Sequence, residues 1–160
     1  MNLKEACEKH IGDKDLEAEF EEMMVEGVKT MVLKRSFCNY MVARIAEDMG
    51  VSTLKDKLAN SIYDYCSTHK DWAEVQPDVA FEGAKQGFLV VAALKGKVHG
   101  HTGVVFPGLK VFSGKWNTYV PQIVQASAKY GQPNGIIGVN YAFREMPRFF
   151  IYRGAEISPR

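Results

Sequence analysis

Gly87-Phe88-Leu89-Val90-Val91-Ala92-Ala93-Leu94, then Lys95-Gly96-Lys97, then His99 to Phe106: this stretch decides how the chain is read. Residues 88–94 form its longest apolar run, which is too short to cross a bilayer and predicts a buried strand. Lys95-Gly96-Lys97 supplies a turn, and His99–Phe106 predicts a second strand ended by Pro107-Gly108. Together they read as a hairpin. Further strands are predicted at Tyr119–Gln125, Ile136–Val139 and Arg148–Arg153.

Upstream of Gln76-Pro77 the signals are helical. Between Asp15 and Leu33, the residues Leu16, Phe20, Met23, Met24, Val28 and Met31 recur three or four apart, as on one helical face. Lys34-Arg35-Ser36-Phe37 reads as a connection. A second helix is predicted from Cys38, with Val42, Ile45 and Met49 inward and Gly50 as its stop. Ser52 or Thr53 caps a predicted third helix, with Leu54, Leu58, Ile62 and Tyr65 inward. Helices followed by antiparallel strands predict a single α+β domain over residues 1–160, the N-terminal helices packed on one face of the sheet.

The 160 residues carry a formal net charge of +1, with 46% hydrophobic and 24% charged side chains. That balance suits one globular domain with a real core. It argues against a dedicated nucleic-acid binder, which needs a basic surface. Met1–Glu22 is rich in Glu and Lys and has no signal-peptide core, so export by a cleaved leader is not expected. Cys7, Cys38 and Cys66 fit no zinc pattern. A Cys7–Cys66 bridge is conceivable, and two unpaired structural thiols are an equal alternative.

Cys38 falls in the first turn of a predicted helix. The helix dipole and free backbone N–H groups there favour thiolate, the attacking species. Alone, such a cysteine is more often a small core residue. His101, opening a predicted strand in Gly100-His101-Thr102-Gly103, supplies a candidate base. The flanking glycines are expected to clear a substrate channel. His99, two residues away, invites a metal reading, but no third ligand follows nearby and an exposed position is expected for it. His10 and His69 lie in polar segments and are expected at the surface. For the group that orients His101, Gln122 is the first choice, with Asn117 and Gln125 as competitors. The backbone N–H of Cys38 is a candidate oxyanion donor.

The run Gln86–Gly96, with Gly100-His101 and Val104-Val105, resembles the histidine-bearing hairpin of type VI secretion amidase effectors, minimal papain-like cell-wall peptidases. Cys38 with Val42 and Met49-Gly50-Val51 resembles their nucleophile helix, and Gly131-Gln132 with Gly135–Val139 a downstream loop and strand. The resemblance spans residues 36–153 and is most specific over 86–105. It departs at Asn39-Tyr40, where the superfamily often has Ser-Gly, and at Phe37, where a polar residue is usual. The resemblance implies a papain-like fold and a cysteine peptidoglycan amidase that needs no cofactor. Its substrate would be a stem-peptide amide, either D-glutamate–diaminopimelate or the D-alanine–diaminopimelate crosslink.

The resemblance also implies an antibacterial toxin injected by the type VI apparatus, acting in the periplasm of target bacteria. A cognate immunity protein would cover Cys38 and His101. Nucleic-acid binding and membrane insertion are not expected. Two other readings stay open at this point: a papain-like transferase or deamidase acting on a protein or lipid, and a non-enzymatic interaction domain in which Cys38 is merely packed.

Overall fold

A computed structural model describes residues 1–154, so the last six residues of the expected 1–160 domain lie outside the description. The chain is α+β. A short helix α1 (Leu3–Lys9) and a 3-10 turn (Lys14–Leu16) lead into strands β1 (Glu19–Val25) and β2 (Val28–Arg35). Helices α2 (Cys38–Asp48) and α3 (Ala59–Thr68) follow, then β3 (Trp72–Val75) and α4 (Pro77–Lys85). The remainder is β4 (Val90–Leu94), β5 (His101–Ser113), β6 (Thr118–Gln125), β7 (Gly135–Gly138), α5 (Val139–Ala142) and β8 (Arg148–Tyr152).

The main sheet has six strands in the order β3-β8-β4-β5-β6-β7, and each neighbouring pair is antiparallel. β4 and β5 form the expected hairpin, with Leu94 opposite His101 and Val91 opposite Val104. Val90–Ala93 and Val104–Phe106 are buried at successive positions. Side chains alternate between faces along a strand, so both faces of these central strands are covered. α2 and α4 both pack against β5, and α3 against β3 and β4.

α2 forms where its apolar spacing predicts. Met41, Val42, Ile45 and Ala46 are fully buried, and a large buried aliphatic side chain contributes about 1.5–3 kcal/mol. Its far end is tied to α1 by a polar cluster. His10, expected at the surface, is buried with Nδ1 2.7 Å from Asp13 and Nε2 2.7 Å from Asp48. Arg44 of α2 donates to Asp13 and Asp15.

The helix expected over Asp15–Leu33 is instead the β1–β2 hairpin. Val25 pairs with Val28 around Glu26-Gly27, whose φ angles are +50° and +78°. Two successive positive φ values make the tight turn whose twist matches antiparallel strands, and a helix through them would need both residues out of that state. The hairpin has no strand partner in the main sheet and exposes Met24 and Val28.

The third helix begins at Ala59 rather than at Ser52 or Thr53, and Leu58, expected inside, is 69% exposed. α1, β3 and α4 were not anticipated. β5 does not stop at Pro107-Gly108. Its pairing slips between Phe106 and Val111, a bulge that takes in Pro107, which has no N–H to give the ladder.

Gly100 lines the cleft beside His101, as expected, whereas Gly103 lies outside its lining and serves packing. A methyl group at Gly100 would lie 2.2 Å from Asn60 Oδ1, and one at Gly103 would lie 2.8 Å from the Val124 carbonyl oxygen and 2.7 Å from Ile123 Cδ1. Backbone cannot yield as a flexible side chain does. Gly103→Ala is therefore expected to cost about 1–3 kcal/mol, read as a lower denaturation midpoint; an unchanged midpoint would refute the close approach of β5 and β6.

Candidate active site

Cys38 is the first residue of α2, and the residue before it, Phe37, offers no side-chain cap to the helix start. No acidic residue sits in the first turn. The positive end of the helix dipole therefore faces the thiol without a competing carboxylate. Cys38 is buried at 3% exposure, yet it lines a cleft of about 860 Å³.

His101 opens β5, and its side chain is hydrogen-bonded to that of Cys38. Its Nε2 lies 2.5 Å from Gln125 Oε1. An amide oxygen only accepts, so Nε2 carries a proton and Nδ1 is left for the sulfur. Phe143 packs against the imidazole, with ring centroids 5.1 Å apart.

Burial pushes the Cys38 thiol up, but its contacts with His101 foremost, together with those of Ser36 and Thr102, outweigh burial and hold it below the ordinary cysteine range. The Ser36 hydroxyl and the Thr102 backbone N–H both donate to the sulfur. Burial likewise pushes His101 down, and is outweighed by Cys38 and by the Gln125 hydrogen bond, so His101 is raised. Opposite shifts of this kind favour a thiolate–imidazolium pair between the two titrations. Cys7 and Cys66 contrast with it. They are free and buried, and desolvation pushes each up to about 12.

Of the residues expected here, the fold brings Cys38 and His101 together. Gln122 is not with them: its Oε1 accepts from the Leu109 N–H at 3.2 Å, across the bulge. The reason is register. β5 and β6 pair Val104 with Val124 and Phe106 with Gln122, which carried one residue further sets Gln125 opposite Gly103. Gln125 therefore shares a face with His101, and Gln122, an odd number of residues away, takes the other. Asn117 lies in the β5–β6 turn with φ +52°. His99 is exposed, in the loop before β5.

Gln125 is itself held. Its Nε2 lies 3.4 Å from Gln132 Oε1, which accepts from Ser127 Oγ at 2.6 Å. Ser36, Ser127 and Phe143 were not singled out from sequence, and only the position of Ser36 two residues before the cysteine hinted at it. Asn60 pins the loop between β4 and β5, donating to the Gly96 carbonyl at 2.9 Å and accepting from its N–H at 3.1 Å.

No protein-family model matches the chain. It is similar to the peptidoglycan amidase Tse1 of Pseudomonas aeruginosa, 35% identical over 72 residues. That alignment takes in 44% of this chain and 45% of Tse1, so the chain spans less than half the length of the curated relative it matches. Among the described residues, no helix is long and apolar enough to cross a membrane.

The shifted pair has a direct spectroscopic consequence. Thiolate absorbance of the native protein is expected to rise at a pH below the ordinary cysteine range. His101→Ala removes the main opposing influence on burial and is expected to move that rise above the ordinary range. A titration indifferent to His101→Ala would disprove the pairing.

Proposed function

We propose that this protein is a cysteine-dependent amidase of peptidoglycan stem peptides. One observation carries the reading: a cleft-lining thiol at an uncapped helix start is hydrogen-bonded to an imidazole whose other nitrogen bonds a carboxamide oxygen. The partial similarity to Tse1 supports cell-wall peptide as the substrate.

The Cys38 thiolate attacks the scissile carbonyl carbon, and the carbonyl π electrons move onto oxygen. As the tetrahedral adduct collapses, the C–N bond breaks and the proton on His101 Nδ1 passes to the leaving amine. Water then attacks the thioester, giving its proton to Nδ1; the C–S bond breaks, and the acid is released with the thiolate–imidazolium pair restored. The backbone N–H of Cys38, at the start of α2, is suited to receive the developing oxyanion. Gln125 takes the place first given to Gln122: it fixes the tautomer and stabilises the imidazolium without adding a charge. No step calls for a metal or organic cofactor.

Within this reading the bond is D-glutamate–diaminopimelate, with the D-alanine–diaminopimelate crosslink as the other candidate. The biological setting is that of a type VI toxin acting in the target periplasm and neutralised by an immunity protein over the cleft. The fold adopted for the reading is the minimal papain-like one.

Purified protein incubated with intact peptidoglycan is expected to release fragments whose masses name the bond, and Cys38→Ala is expected to release none. Release by Cys38→Ala would refute the mechanism; no release by folded wild type would refute the activity. Gln125→Ala is expected to lower kcat about tenfold to a thousandfold, while Gln122→Ala, away from the imidazole, stays close to wild type. The reverse ranking would return Gln122 to the site.

The pH profile should follow the pair. Activity needs Cys38 deprotonated and His101 protonated, so the acid limb falls below the ordinary cysteine range and the alkaline limb above the ordinary histidine range. A profile rising only near the ordinary cysteine range would contradict a preformed ion pair.

A further inference from the structure

The cleft around Cys38 and His101 has a charge unlike that of the whole chain. Lys34, Arg35, Lys95, Lys115, Lys129 and Arg144 line it, and among the described residues no Asp or Glu does, although the chain has 19 acidic residues and a net charge of +1. Lys95 is neutralised by Asp64 at 2.8 Å. Lys115 Nζ donates to the Phe143 and Arg144 carbonyl oxygens at 3.1 and 3.3 Å, and Lys129 Nζ to the Tyr141 carbonyl oxygen at 3.1 Å. Arg35 lies over the Phe37 ring. Lys34, Arg35 and Arg144 form no ion pair among the described residues.

These cations come from separate parts of the chain. Lys34 and Arg35 end β2, just before the nucleophile, whereas Lys129 and Arg144 follow β6 and α5. Lys129 acts on His101 directly, opposing its protonation. An anionic group of a bound ligand placed near Lys129 would offset that effect. A concave site lined by one sign of charge concentrates ligands of the other sign.

We propose that this cleft selects short acidic peptides, reading free carboxylates on the residues that flank the scissile amide and discriminating against the same peptides with those carboxylates amidated. The proposal rests on the amidase reading and deepens it. Lys34 and Arg144 are its specificity-determining residues. Both are exposed, so charge reversal there leaves the core untouched. A peptide is favoured over a phosphate polymer because the cleft, about 860 Å³ in volume, carries on its wall a nucleophile suited to acyl groups.

The test is direct titration of Cys38→Ala protein with two stem tetrapeptides that differ only in free or amidated carboxylates. The free form is expected to bind about tenfold tighter or better at about 0.01 M salt. The gap should narrow at about 0.15 M, as the screening length falls from roughly 30 to roughly 8 Å. Adding Lys34→Glu and Arg144→Glu should close it, and in the active protein should raise KM for the free form far more than it lowers kcat. Equal affinity for the two peptides at low salt would overturn the proposal, as would tighter binding of single-stranded DNA than of the acidic peptide. Because binding is read without turnover, the two readings fail separately. Acidic preference without hydrolysis by the wild type retires only the amidase, and hydrolysis without preference retires only the charge selection.

Discussion

The packing of α2 against β5 is the constraint on which the rest depends. Met41, Val42 and Ile45 of α2 are fully buried, and the packing of α2 on β5 fixes where the helix begins relative to the strand. With the helix start fixed, Cys38 meets the side chain of His101 and the backbone N–H of Thr102. The other features of the site either hold one of these two elements or act on the pair they create. The polar cluster of His10, Asp13, Asp48 and Arg44 secures the far side of α2. Asn60 secures the loop that feeds β5.

The same constraint explains how a thiol can be both buried and acidic. Desolvation alone would push Cys38 upward, as it does Cys7 and Cys66. What differs at Cys38 is a set of donors to the sulfur from three residues: the His101 imidazole, the Ser36 hydroxyl and the Thr102 backbone N–H. Burial then helps the chemistry, because each of those interactions is stronger away from bulk water. The chain from His101 through Gln125 and Gln132 to Ser127 extends that preorganisation into the sheet and the loop beyond β6.

Much of this was legible in the sequence, for physical reasons that can be named. The apolar run 88–94 and its glycine-marked turn fix the central hairpin, because few other structures bury so many successive residues. Cys38 and its helix were legible from Val42 and Ile45. The Asp15–Leu33 stretch misled because a hairpin whose strands lie mostly in solvent shows no alternation of polar and apolar residues. The informative signal there was Gly27 amid Val25, Val28, Thr30 and Val32, a turn glycine among β-branched residues. Gln122 and Gln125 could not be ranked, since the choice rests on strand register, and register is set by contacts between segments rather than within one. The basic cleft was equally hidden, because its cations are scattered from residue 34 to residue 144 and cancel in the total.

Cys7 and Cys66 carry a consequence for where such a chain can function. Neither is bonded to the other, and both are kept neutral inside the core. The fold thus holds no covalent staple for a reducing medium to cut, and burial shields both thiols from an oxidising one. Passage from one redox environment to another would leave its architecture as it was. The vulnerable sulfur is the one in the cleft, whose thiolate character makes it the first target of a peroxide. Under the proposed activity, oxidation of that sulfur would silence the chemistry well before it touched the structure.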